Sequence, residues 1–314
     1  MLATVALIAT AATVISCNKH LPDPELPQVT AIQFTTEDNW TKAIADESTL
    51  KSEGFRVWAW FTGATSGNAF GDNGTHVTYA DNAWTYSPTR YWMNGSYDFF
   101  AVYPENSEVE TKDKDFTITY NVDSQADLLV ATPVDAEGNP LTTIDGGTYN
   151  SSVDLKFEHV LCQLEFKAIS KALDLQAALY GIDIYASGSG TYSSANESWT
   201  NAPGTDKIYT TSGHSNLNGI EYQVVESGIM MIPQALNEVS FIIRYYGKDE
   251  DGNLGEARTE VFLKNLAYPQ WESGKKYTYL LSVTENGQIT FGTPIVTPWV
   301  NASGGSFIIP TPIN

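Results

Sequence analysis

Apolar and polar residues alternate along most of this chain, with the period of two that belongs to strands having one buried face. Two neighbouring runs show it best. Val153, Leu155 and Phe157 alternate with Asp154, Lys156 and Glu158; then Cys162, Leu164 and Phe166 alternate with Gln163, Glu165 and Lys167. The inward positions are odd in the first run and even in the second, so the chain needs a bulge or bend near His159. Residues 55–61 set Phe55, Val57, Ala59 and Phe61 on one face and Trp58 and Trp60 on the other. Further strand-like runs cover residues 97–103 (stopped by Pro104), 116–120 and 127–131. Others follow at 182–185, 222–225, 229–232, 239–246, 259–263, 276–283, 288–291, 295–297 and 306–309. Only residues 168–179 read as a short helix, at what looks like a junction. Many short strands separated by Gly, Asn, Asp and Pro, with almost no helical period, predict β-sandwiches. The 314 residues suit two domains, expected at 29–172 and 173–314.

The first residues follow a different pattern. Residues 1–16 are uncharged and small or apolar. A bilayer-spanning helix needs about 20 such residues, so the stretch fits the apolar region of a signal peptide instead. Val14-Ile15-Ser16-Cys17 resembles a bacterial lipobox, which makes Cys17 the expected lipidation site. Several acyl chains on one residue give lasting membrane attachment, where a single chain is marginal. Residues 17–28, with Pro22, Pro24 and Pro27, read as a tether.

Charge narrows the function. Lys and Arg total 17 against 37 Asp and Glu, a formal net charge of −20. Nucleic-acid binding needs a basic footprint, so nucleic acid is excluded as a partner. Docking on anionic lipid through charge is disfavoured too, and the acidity reads as solubility. With Cys17 acylated, Cys162 has no partner and no internal disulfide is expected. Cys162 alternates with Leu164 and Phe166, so it reads as an inert buried thiol.

The residues that carry chemistry elsewhere are present without their patterns. His20, His76, His159 and His214 are scattered, none at metal-ligand spacing; His159 falls at the predicted bend, where a structural role is expected. Gly188-Ser189-Gly190 is too short for a nucleophile elbow or a phosphate loop. Asp249, Asp251, Asn253 and Glu260 occupy positions 1, 3, 5 and 12 of a calcium-loop template. Leu254 stands where the turn glycine belongs and the flanks read as strands, so a solvated hairpin loop is expected. The sequence therefore predicts no catalytic residue, no metal and no cofactor. Trp84 and Trp92 lie in a loop-rich stretch, and an alternative function is a surface glycan-binding lipoprotein that stacks sugars on them.

Several segments, taken in order, carry a family resemblance. They are Phe55-Arg-Val-Trp-Ala-Trp60, Phe99-Phe-Ala-Val-Tyr-Pro104, Ala126-Asp-Leu-Leu-Val-Ala131, Val153-Asp-Leu-Lys-Phe-Glu-His-Val-Leu-Cys-Gln-Leu-Glu-Phe166, Trp271-Glu-Ser-Gly-Lys-Lys-Tyr-Thr-Tyr279 and Trp299. Together they resemble the fimbrillin family of Bacteroidales surface lipoproteins. The resemblance implies an all-β fold of two tandem transthyretin-like (Greek-key) β-sandwich domains, without enzymatic activity. It implies a lipid-anchored pilus subunit, tip or anchor at the outer membrane and cell surface. Its partners would be other fimbrial subunits, the outer membrane through acyl chains, and a host or bacterial surface receptor. It also implies assembly by strand exchange: a protease removes an N-terminal strand and a neighbour's strand fills the groove. Main-chain hydrogen bonds would supply the affinity and side-chain pockets the register. Carried onto this chain, Val29, Ile32 and Phe34 mark the displaced first strand, and Lys42–Ala43 the processing bond. Phe307, Ile308 and Ile309, behind a Gly304-Gly305 hinge, mark the donor strand. The competing readings are an exposed loop lysine at 42 and a closing strand of the second sandwich at 306–309.

Overall fold

A computed structural model describes residues 30–36, 46–149, 151–172, 178–211, 215–217, 219–248, 251, 253–265 and 268–299. The alternation becomes four sheets. The first has nine strands, in the order β1 (Phe34–Thr36), β11 (Val153–His159), β9 (Leu129–Val134), β6 (Gly95–Tyr103), β2 (Phe55–Gly63), β4 (Thr75–Ala80) and β5 (Ala83–Tyr86). The short β3 (Ser66–Asn68) adds to β2, and β10 (Ile144–Asp145) adds to β6. The second has four: β15 (Ser198–Asn201), β14 (Ser189–Ser193), β8 (Asp115–Asn121) and β7 (Glu108–Lys112). The third runs β18 (Gln223–Met231), β12 (Cys162–Ser170), β21 (Lys275–Val283) and β22 (Ile289–Phe291), with β23 (Ile295–Pro298) also on β21. The fourth runs β16 (Asp206–Thr210), β13 (Ala178–Ala186), β19 (Ser240–Lys248) and β20 (Leu254–Phe262), with β17 (Ser215–Asn216) also on β13.

These sheets pair into two β-sandwiches, as expected. The second sheet covers one face of the first, where Phe116 of β8 stacks on Phe100 of β6 at 3.9 Å between ring centroids. The other face of the first sheet curls around its own core of Phe55, Val57, Phe61, Tyr97 and Phe99. The third and fourth sheets face each other across Phe166, Phe241 and Tyr279, with ring centroids 5.0–5.5 Å apart. Strand pairing crosses the expected 172/173 division in both directions. β14 and β15 complete a sheet with β7 and β8, while β12 pairs with β18 and β21.

The parity switch at His159 is where the chain leaves one sandwich for the other. β11 belongs to the first sheet and β12 to the third, and the linking Val160 and Leu161 are both buried. The Val160 carbonyl accepts from Trp199 Nε1 at 2.8 Å and Ser273 Oγ at 2.9 Å, and that of Leu161 from Gly274 N at 2.8 Å.

Two expectations need correction. The short helix over 168–179 is not there at its ends, since β12 runs to Ser170 and β13 starts at Ala178. The runs at 222–225 and 229–232 are one strand, β18, bent by register shifts against β12. The α-helix among the described residues, α1 (Glu47–Glu53), is announced by no periodicity because only Leu50 is buried. Its signals are local. The Asp46 carboxylate caps it by accepting from Thr49 N at 3.0 Å, and Gly54 ends it at φ 79°. No helix among the described residues is long and apolar enough to cross a membrane.

Candidate assembly interface

Residues 30–36 are fixed by neighbours on both flanks. Their period of two turns Ile32 and Phe34 to the same side, and these are 1% and 4% exposed. On one flank β1 runs parallel to β11, with Phe34 opposite Val153 and Thr36 opposite Leu155. Val153 N donates to the Gln33 carbonyl at 2.7 Å, and Thr35 Oγ1 donates to the Asp154 carboxylate. On the other flank Ile32 N donates to the Arg90 carbonyl at 2.9 Å, and Trp92 N to that of Thr30 at 3.0 Å. Tyr86 Oη adds a hydrogen bond to the Ile32 carbonyl at 2.7 Å. Burial raises the pKa of this hydroxyl against the opposing pull of Arg90, which keeps it a donor.

The segment therefore closes the seam between two margins of a curled sheet: β11 on one side, and the end of β5 with the loop after it on the other. The Phe34 ring packs against Phe70, Tyr86 and Phe99 at 5.6–6.1 Å. Complete burial of such side chains contributes roughly 1.5–3 kcal/mol each. Without residues 30–36, those three rings would floor an open apolar groove, and β11 would present an unpaired edge.

The structure thus brings together two of the residues nominated from sequence, Ile32 and Phe34. Cys17, Val29, Lys42, Ala43, Phe307, Ile308 and Ile309 lie outside the described residues. The residues that grip the strand were not nominated. Phe70 and Arg90 sit in irregular segments where no period assigns a direction, Tyr86 ends the four-residue β5, and Phe99 lies in the run 97–103, which is buried without alternation from Phe99 to Tyr103.

The other candidates are structural. His159 Nδ1 lies 3.0 Å from the buried Asp127 carboxylate, and its ring stacks on Trp299 at 4.0 Å and 9°. This joins the start of the first-sheet strand β9, the crossover and the end of β23. Burial pushes the Cys162 thiol well up, and its Sγ donates to the Met231 carbonyl at 3.3 Å. Trp92, nominated as an exposed sugar platform, is instead 7% exposed. It packs edge-on against Tyr97 and Tyr149 at 5.1 and 5.3 Å. Its loop context hid the burial. Trp84 is half-buried, with its ring 4.9 Å from that of Phe55. It borders an open cleft of about 600 Å³ between β1 and the β4–β5 hairpin. Asp249 of the calcium-loop pattern lies outside the described residues, and Glu260 sits mid-strand, accepting from Ser240 Oγ at 3.0 Å. Among the described residues, no group of three or more His, Cys, Asp or Glu side chains is placed to hold a metal ion.

A protein-family model described as fimbrillin-like matches residues 41–299. Comparison with curated proteins gives no match. Among solved structures the chain is similar to a fimbrial protein from Bacteroides vulgatus, at 19% identity over 86% of this chain and 99% of that one, with a TM-score of 0.61. It is also similar to a proposed cell adhesion protein from Bacteroides uniformis, at 15% identity over 87% and 99% of the two chains and a TM-score of 0.54. A proposed cell adhesion protein from Bacteroides ovatus gives 13% identity over 88% and 99%, also at 0.54. At these identities the likeness to the solved structures is one of fold.

Proposed function

The chain belongs to the fimbrillin-like family, and from that premise we propose that it is a non-enzymatic fimbrial subunit that assembles by exchanging its first strand. One observation carries this reading. Residues 30–36 fill a seam between two sheet margins with Ile32 and Phe34 fully inserted, and they precede Lys42 in the chain. Cutting the Lys42–Ala43 bond would detach this strand together with everything N-terminal to it, Cys17 and its acyl chains included. The groove left behind offers an unpaired β11 edge and two apolar pockets two residues apart. Phe307 and Ile309 share that spacing, so the C-terminal segment of a neighbouring subunit suits it.

On this reading the uncut chain is held at the outer membrane through Cys17, and the cut chain passes into a surface fibre made with other fimbrial subunits. Adhesion to a host or bacterial receptor is then a property of the fibre. The test is to sequence the N-terminus of the chain in surface fibres identified by antibody in electron micrographs. The expected N-terminus is Ala43, and Lys42→Gln should abolish incorporation. Fibre-borne chain that still begins at Cys17 would overturn the proposal.

A further inference from the structure

Among the described residues the four main strand paths have eight ends, and the shorter β3, β10, β17 and β23 add beside them. Proteins avoid unwanted pairing there by keeping edge strands short, bulged or broken by proline. Six margins follow the rule at five residues or fewer: β1, β5, β7, β15, β16 and β22. β18 is nine residues long but has two register shifts against β12 and a positive-φ Gly228. β20 differs from all of these. It has nine residues in one unbroken register against β19, from Phe262 opposite Ser240 to Leu254 opposite Lys248, without a proline.

The exposed face of β20 reads Leu254, Glu256, Arg258, Glu260, Phe262, with 54% and 43% exposure at the two apolar ends. That order is a palindrome of character: apolar, acidic, basic, acidic, apolar. Because acidic and basic residues alternate along this face, a second β20 running antiparallel can meet it in a charge-matched register once the two are offset. Pairing without an offset would set Arg258 against Arg258 and Glu256 against Glu260, which is unfavourable. An offset of two residues sets Arg258 opposite Glu260 of the partner subunit, twice by symmetry, and keeps Phe262 inside the paired stretch.

We propose that the outer edge of β20 is a lateral pairing site for a second copy of this chain, joining two fourth sheets through an antiparallel β20–β20 ladder. Main-chain hydrogen bonds bind and the Arg258–Glu260 pairs set the register. A one-strand interface is small, so the isolated dimer is weak. Copies already aligned along a fibre pair more tightly because the contacts act together. The site is far in sequence from residues 30–36 and does not depend on strand exchange.

The experiment is sedimentation velocity of the purified full chain over a wide concentration range, near physiological salt where the Debye length is about 8 Å and the net charge of −20 is screened. Wild type should dimerise reversibly. R258E and E260R should each weaken dimerisation by about tenfold or more, and R258E/E260R should restore it. Thermal melts of each variant check that the fold is kept. In the proposed register Thr259 faces its own copy, so Thr259→Cys should give a disulfide between the two introduced thiols, identified by peptide mapping. A wild type that stays monomeric at every concentration would overturn the proposal. So would a dimer indifferent to these charges, or a double variant that fails to recover. None of these results bears on cleavage at Lys42.

Discussion

Phe34 is the side chain at which the proposed strand exchange can be read most directly. It is 4% exposed and touches Phe70, Tyr86 and Phe99, yet it lies on a three-residue strand near one end of the described chain. Removing a buried phenylalanine typically costs about 3–5 kcal/mol. Phe34→Ala should therefore lower the stability of the uncut chain by about that much in chemical denaturation. If another subunit's strand fills the groove in assembled fibres, as proposed, the same substitution should cost nothing there. A cost that persisted in the fibre would mean that β1 never leaves. The inward direction of Ile32 and Phe34 was legible from their spacing. That of Trp92 was not, because a loop residue has no period to reveal which side it faces, and its burial depends on Tyr97 and Tyr149 reaching it through the fold.

Between strands, the best-defined electrostatic feature is on the third sheet. β12 and β21 run parallel there, placing Glu165 opposite Thr278. Glu165 Oε2 accepts from Lys276 Nζ at 2.7 Å and Oε1 from Thr278 Oγ1 at 3.2 Å, with Lys167 Nζ at 3.3 Å. Burial works to raise the pKa of this carboxyl, but the hydrogen bond and charge of Lys276, joined by Lys167, outweigh it and hold it below the usual range. The folded state thus binds this proton less readily than the unfolded chain. The resulting stability is present above the ordinary carboxylate pKa and is lost as pH falls through the lower folded one. Glu165→Gln should therefore be less stable than wild type near neutrality and approach it in acid, as denaturation midpoints against pH would show; a pH-independent difference would discount the ion pairs. The alternation gave β12 its inward face, marked 276–283 as a strand and located the bend at His159. It could not give their neighbours, because a period of two is the same whichever strand lies alongside. Glu165 and Thr278 are 113 residues apart. For the same reason β14 and β15 read as part of the second half, although they complete a sheet with β7 and β8.

Across the whole molecule, the proposed exchange of end strands requires the two sandwiches to keep a fixed relation. The joint at Val160 and Leu161 is tied by hydrogen bonds from Trp199, Ser273 and Gly274. Trp299, the last described residue, is locked onto it. Its N–H donates to the Gly274 carbonyl at 2.6 Å, and its ring lies on His159, which Asp127 holds in turn. Trp299 is 6% exposed and belongs to the core cluster whose members run from Trp58 to Trp299 itself. A C-terminal donor segment would therefore leave from a rigid base, with the Gly304-Gly305 pair as the hinge that lets it reach a neighbour. Deleting residues 304–314 should then leave a chain whose thermal melt overlays the full-length one but which no longer polymerises after cleavage. Trp299→Ala makes the informative contrast, because it removes a buried ring from the joint and should cost about 3–5 kcal/mol. If the deletion unfolds the chain as the Trp299 substitution is expected to weaken it, residues 304–314 close the second sandwich of their own molecule. The strand offered to a neighbour would then have to come from elsewhere in the chain.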